Sequence, residues 1–148
     1  MESVNDYADL TMENEMPRDE LLQKLNAVTP EGLFFKDAYP AKNKAASVVS
    51  VADYSVAAIG DIEKILRAKE IIIAKKTKKG IKDTDIRADI LNLREENNLT
   101  IMRLSAGSAR FLNPMTVAEL FCEKKPPMTA ISRLELFQET ESGELITL

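Results

Sequence analysis

The sequence predicts an α+β fold in which an antiparallel sheet carries its helices on one face. Three observations predict it. Beyond residue 51 the chain alternates strand, helix, strand, hairpin, helix and strand, the order of a ferredoxin-like βαββαβ unit. Two helix starts are marked by their chemistry: acidic residues just after Gly60, and the Asn113-Pro114 pair. Tyr54, Val56, Met102, Leu104, Leu134 and Leu136 fall on alternate positions, as one apolar sheet face requires. Residues 1–50 supply only two strands, one helix and a connector, an incomplete βαβ half-unit. The expected division is therefore 1–50 and 51–148.

Taken in order, residues 7–12 are expected to form a short strand. Pro17 suits a first helical turn, and Leu21, Leu22, Leu25 and Val28 give the helix an apolar face. Pro30-Glu31-Gly32 ends it, and residues 33–39 read as a second strand. Residues 41–50 connect, with room for a short helix. A strand over 52–59 is broken by Gly60, and a helix follows over 61–69. Ile71-Ile72-Ile73 reads as a buried strand running into Lys75-Lys76-Thr77-Lys78-Lys79-Gly80, a basic turn, and residues 82–87 are extended. Residues 90–94 and 99–105 flank Glu95-Glu96-Asn97-Asn98, a hairpin signature. A helix runs from Asn113-Pro114 to Cys122 and is closed by Pro126-Pro127. Residues 130–137 make the last long strand, and Ser142-Gly143 turns the chain before residues 145–148.

Composition restricts the chemistry. There is no histidine among the 148 residues, and Cys122 is the one cysteine. Zinc sites and iron–sulfur clusters draw several His or Cys ligands from a chain, and Ser-His-Asp or Cys-His catalysis needs a histidine. No metal, cofactor or catalytic residue is assigned, and catalysis by this chain alone is not expected. Cys122 lies in an apolar helical stretch and reads as a buried, inert thiol. No apolar run is long enough for a bilayer, and residues 1–10 lack the basic-then-apolar pattern of a signal peptide. A cytoplasmic protein is the expectation.

The net charge of −4 is unevenly spread. Residues 60–110 hold twelve Lys and Arg against eight Asp and Glu, while the first twenty residues are strongly acidic. A basic middle in an acidic chain points to a local anion-facing surface.

Several motifs then combine. Lys24-Leu25-Asn26-Ala27-Val28 through Pro30-Glu31-Gly32-Leu33, Ala52-Asp53-Tyr54, Lys79-Gly80 with Lys82-Asp83-Thr84-Asp85-Ile86-Arg87, and Leu104-Ser105-Ala106-Gly107-Ser108 to Asn113-Pro114 occur in one order. In this the chain resembles the bacterial radical-SAM-linked proteins, a domain of unknown function. The resemblance implies a protein that is encoded with, or fused to, a radical-SAM protein. That family usually begins with a further segment bearing an SHLD helix and a GFNPHP loop. Neither occurs here, so the chain is expected to correspond to the C-terminal part of the pattern.

Three candidate sites follow. Lys75, Lys76, Lys78, Lys79 and Lys82 form the basic turn, read either as a phosphate-contacting surface or as a solvated tip that keeps a strand edge soluble. Asp83, Asp85 and Arg87 share one face of an extended strand, so Asp85 with Arg87 is either a polar ligand site or a structural ion pair. The small-residue loop 105–110 leads to a helix start, where free amides attract anions and Arg110 adds charge. It lacks the Gly-Lys-Ser/Thr of a P-loop, so it also reads as an ordinary connection. Arg94, Arg103 and Arg133 are expected on an open sheet face, with Phe137 as its one stacking aromatic.

The leading expectation is an accessory RNA-binding module for a radical-SAM partner, using Lys75, Lys76, Lys78, Lys79, Lys82, Arg87, Arg103 and Arg110. The alternative is a protein-docking module without nucleic acid. Catalysis with Asp85 as base is the third reading. The bare half-unit is expected to pack on the rest of the chain or to pair across a homodimer.

Overall fold

The computed structural model describes residues 1–58 and 60–148. It is a mixed α+β structure in two compact units, Met1–Tyr7 with Ala45–Leu148, and Ala8–Lys44.

The larger unit is built on β2 (Val49–Val56), β5 (Ile90–Glu96), β6 (Leu99–Ser105) and β7 (Ile131–Glu139). Their spatial order is β7-β2-β6-β5, and every adjacent pair is antiparallel. Two short strands share the outer edge of β7: β1 (Glu2–Ser3), parallel to it, and β8 (Leu145–Thr147), antiparallel. Between β2 and β5 come α3 (Ile62–Arg67) and a separate two-stranded ribbon, β3 (Ile72–Thr77) with β4 (Gly80–Asp85). The helix α4 (Pro114–Phe121) lies between β6 and β7, and a short α2 (Ala45–Val48) precedes β2. The strand expected over 52–59 begins earlier, at Val49, and its expected last residue, Ile59, lies outside the described residues.

The alternation read from the sequence builds the core. Ala52, Tyr54 and Val56 of β2 and Met102 and Leu104 of β6 are buried with Ile65 of α3 and Met115, Val117, Ala118 and Phe121 of α4. Both helices therefore cover the same sheet face. Leu134 departs from the expected set. The β2–β7 register shifts between Asp53↔Glu135 and Tyr54↔Arg133, which leaves Leu134 as an extra residue outside the core cluster. The opposite face is less open than expected, since Val51, Asp53, Ser55 and Ile101 are also buried.

Local chemistry sets the boundaries. The Asp61 side chain accepts the Lys64 amide at the start of α3. Asn113 does the same for Met115, with Pro114 in the first turn of α4. Asn97 and Asn98 both adopt positive φ, the backbone of a tight two-residue turn between β5 and β6. Pro126-Pro127 does not end α4, which stops at Phe121.

The smaller unit differs most from expectation. Its helix α1 (Arg18–Val28) forms, but residues 7–12 and 33–39 are not strands. The reason is visible at Asn26. Its side-chain amide donates to the Phe35 carbonyl at 3.0 Å and accepts the Phe35 amide at 2.8 Å. One side chain thus gives residue 35 the two hydrogen bonds that a neighbouring strand would have supplied. Val28, expected on the apolar helix face, is 81% exposed.

Gly60 marks the tightest approach in the larger unit. A Cβ there would lie 2.0 Å from the Phe121 carbonyl oxygen, which also accepts the Asp61 amide. Gly60→Ala should therefore force apart the end of α4 and the start of α3. We expect a loss of about 1–3 kcal/mol, read as a lower urea midpoint.

Candidate nucleic-acid interface

The ribbon is long-stemmed because its strands continue through the lysines. Lys75 and Lys76 lie on β3, Lys78 and Lys79 form the turn, and Lys82 lies on β4. The turn closes with Gly80 at φ +119 and with the Thr77 hydroxyl, which donates to the Gly80 carbonyl and accepts the Lys79 amide. The expected buried strand at Ile71-Ile72-Ile73 is a correction: Ile72 is 54% exposed and no residue of β3 is fully buried. A two-stranded ribbon has a second face with no sheet packed on it.

Its register places Lys75 directly opposite Lys82, and Lys76 opposite Ile81. Like charges directly opposed across a sheet are destabilising. Among the described residues no carboxylate forms an ion pair with any of the five lysines. All five are exposed.

The base of the ribbon is fixed. Asp85 accepts the Ile71 amide at 2.8 Å and the Arg87 amide at 3.0 Å. These two backbone donors, Ile71 first, hold the Asp85 carboxyl below its ordinary value. Ile86 is buried in the core. The extended run expected over 82–87 ends at Asp85, and Arg87 opens a short 3₁₀ turn. Asp85 and Arg87 thus do not share a strand face. The Arg87 guanidinium instead donates to the carbonyls of Ala68, Ile90 and Leu66 at 3.0, 3.0 and 3.3 Å. A cation on the last carbonyls of α3 is favourable to the helix dipole. The pair is a structural junction.

The remaining arginines are also engaged. Arg103 donates to both Asp53 oxygens, at 2.7 and 2.8 Å, and its guanidinium sits 4.7 Å above the Phe137 ring centroid. The hydrogen bonds from Arg103 to Asp53 raise the Arg103 pKa, and the stacking face expected at Phe137 is occupied. Arg110 pairs with Asp89 at 2.8 Å, though its own side chain remains largely exposed. Arg94 pairs with Glu96, and Arg133 with Asp6.

The loop 105–110 behaves as a connection. Ala106 bridges to Phe111, the Leu112 amide reaches the Ser105 carbonyl at 2.9 Å, and Gly107 packs against the Val49 carbonyl. At the start of α4 the Met115 and Thr116 amides are already taken by Asn113. Cys122 is half-buried, and burial pushes its thiol up, away from the reactive thiolate. Among the described residues no group of three or more His, Cys, Asp and Glu could hold a metal ion, and no helix is long and apolar enough to cross a membrane.

One aromatic was not singled out by sequence. Phe111 is 53% exposed and lines a groove of about 670 Å³ between β3 and α4, together with Lys75 and Lys76. The sequence places it between Arg110 and Leu112, just before the Asn113 cap, and only the structure separates the exposed Phe111 from the buried Leu112.

The family model described as an uncharacterized protein conserved in bacteria, DUF2344, matches residues 1–114. The chain belongs to that family. No curated protein and no solved structure matches it. The DUF2344 match spans the ribbon, the Arg87 junction and Phe111, and it ends at the first residue of α4.

The Asp85 junction is open to test by pH. A depressed folded pKa stabilises the junction above the unfolded aspartate value and loses that effect as pH falls through the folded value. Carboxyl-carbon NMR should show Asp85 titrating below the ordinary aspartate range. Asp85→Asn should speed hydrogen exchange at the Ile71 and Arg87 amides while leaving amides in β6 unchanged.

Proposed function

We propose that this chain is an accessory RNA-binding module that grips RNA phosphates with the lysine ribbon and acts with a radical-SAM partner protein. The observation that carries the RNA reading is the Lys75–Lys82 cross-strand pair on a ribbon whose lysines lack carboxylate partners among the described residues. Opposed ammonium groups on a fixed scaffold are relieved by an anionic polymer more than by any neighbour they have. The ribbon's base is locked by Asp85, Ile86 and Arg87, so the lysines are presented without a large ordering cost on binding.

Arg87 and Arg103 leave the expected contact set, because their donors are committed to backbone carbonyls and to Asp53. Arg110 stays as a flanking charge, exposed despite its tie to Asp89. The scaffold reading is a ferredoxin-like unit with the ribbon inserted after its first helix. Its support is the antiparallel order β7-β2-β6-β5 with both helices on one face. The radical-SAM partner rests on the motif resemblance, and an RNA ligand implies a cytoplasmic place of action.

A second reading, protein docking through the ribbon, is favoured by Ile72 and Ile81, which are 54% and 77% exposed on one ribbon face. Salt separates the two. Phosphate binding loses affinity steeply with salt, with a log–log slope of about −0.7 per contacted phosphate on single strands. We expect the full chain to bind single-stranded RNA with a slope of about −2 to −3. The Lys78→Gln, Lys79→Gln, Lys82→Gln triple variant should flatten that slope by about 2 and weaken binding at least ~10-fold at low salt. RNA affinity that is absent, or indifferent to salt and to these substitutions, would sink the reading in favour of docking.

A further inference from the structure

The groove beside the ribbon combines features that phosphate contact alone does not need. Phe111 presents its ring to solvent while its backbone is held on both sides. Residue 111 bridges to Ala106, its carbonyl accepts the Lys75 ammonium at 3.5 Å, and the next amide is bonded to Ser105. An exposed aromatic on such a fixed mount is a stacking platform rather than a stray surface residue. Lys75 and Lys76 stand on the other wall, from β3. The volume of about 670 Å³ lies in the ~300–1,000 Å³ range of small-ligand clefts. Glu119 also lines the groove, but its carboxylate is tied to Lys125 at 2.6 Å, which offsets its repulsion of an anion.

We infer that this groove takes an unpaired nucleotide of the RNA, its base stacked on Phe111 and a flanking phosphate held by Lys75. The inference rests on the RNA reading and adds a ligand class to it, single-stranded rather than duplex RNA. A base inside a duplex has both faces stacked and cannot lie on the ring. An unpaired base has a free π-face, and every base has one, so the site discriminates strandedness more than sequence. Thr116 offers a hydroxyl at the groove for a base edge.

The test uses the full chain and two labelled probes, an oligoadenylate of about 12 nucleotides and a blunt RNA duplex of the same length, within the usual site sizes. Phe111→Leu should weaken the single strand about tenfold. It should leave the salt slope and duplex binding unchanged, because no charge is removed. Phe111→Trp should retain affinity. The sequence contains no tryptophan, so the indole it introduces reports alone, and its fluorescence should be quenched by the oligoadenylate and not by the duplex. Thermal melts of both variants should match the parent, since the ring is exposed. Single-strand binding that Phe111→Leu leaves untouched, or an indole blind to the oligoadenylate, would overturn the groove assignment while the lysine ribbon stands. Failure of the parent protein to bind either probe at low salt would overturn the ribbon reading and this inference with it.

Discussion

Three backbone carbonyls meet at one guanidinium, and the arrangement of the larger unit turns on that point. Arg87 bonds the carbonyls of Leu66 and Ala68 where α3 ends and that of Ile90 where β5 begins. Polar backbone groups shut away from water must find partners, and the last carbonyls of a helix have none within it. A single planar fork with five donors satisfies three of them from one side. A lysine could not, since its three donors radiate from one point. With Ile86 buried next to it, the junction fixes where the chain leaves the core for the ribbon and where it returns.

That division of labour extends to the other cations. Arg103 is spent on Asp53 across the sheet and over Phe137, and Arg133 on Asp6. The lysines of the ribbon are spent on nothing so close, apart from the long contact of Lys75 with the Phe111 carbonyl. The local excess of basic residues between 60 and 110 is therefore not one surface. Arg87 and Arg103 are committed within the fold, whereas the five ribbon lysines form the densest exposed group of cations. Residue counts could not separate the two roles, because what separates them is which donors are already engaged.

The parts of the fold that were legible are those governed by short-range chemistry. The Asn113-Pro114 start of α4 and the Asn97-Asn98 turn each depend on residues within a few positions of one another. The alternating core set was legible for the same reason, except at Leu134, where a register shift decided by the facing strand moved it out of phase. The failures are long-range or competitive. Residues 33–39 have strand composition, yet Asn26 meets the needs of residue 35 with a side chain, and no pattern in 33–39 itself encodes that. Period two puts Asp85 and Arg87 on one face only if the strand runs two residues further than it does. The strand ends when the Asp85 carboxylate takes the backbone amides of Ile71 and Arg87, an Asx-type competition with the sheet ladder. Phe111 has no such local signal, because exposure of a lone aromatic is set by the loop that mounts it.

The edges of the larger sheet connect these local facts to interaction. An unpaired edge strand invites addition of another strand. On the β7 side that edge is closed twice, by β1 at Ser132 and Arg133 and by β8 at residues 137–139. The closure by β1 is reinforced by side chains: Asn5 and Tyr7 both donate to Glu135, the Tyr7 hydroxyl also reaches the Leu148 carbonyl, and Asp6 pairs with Arg133. Residues 2–7 and 145–148 therefore share one lock on β7. Among the described residues backbone-mediated pairing in this unit is then left to β5 and to the ribbon, whose outer half carries the lysines. A neutral strand added to the ribbon would leave the Lys75–Lys82 repulsion in place, whereas a negative charge beside it would relieve it.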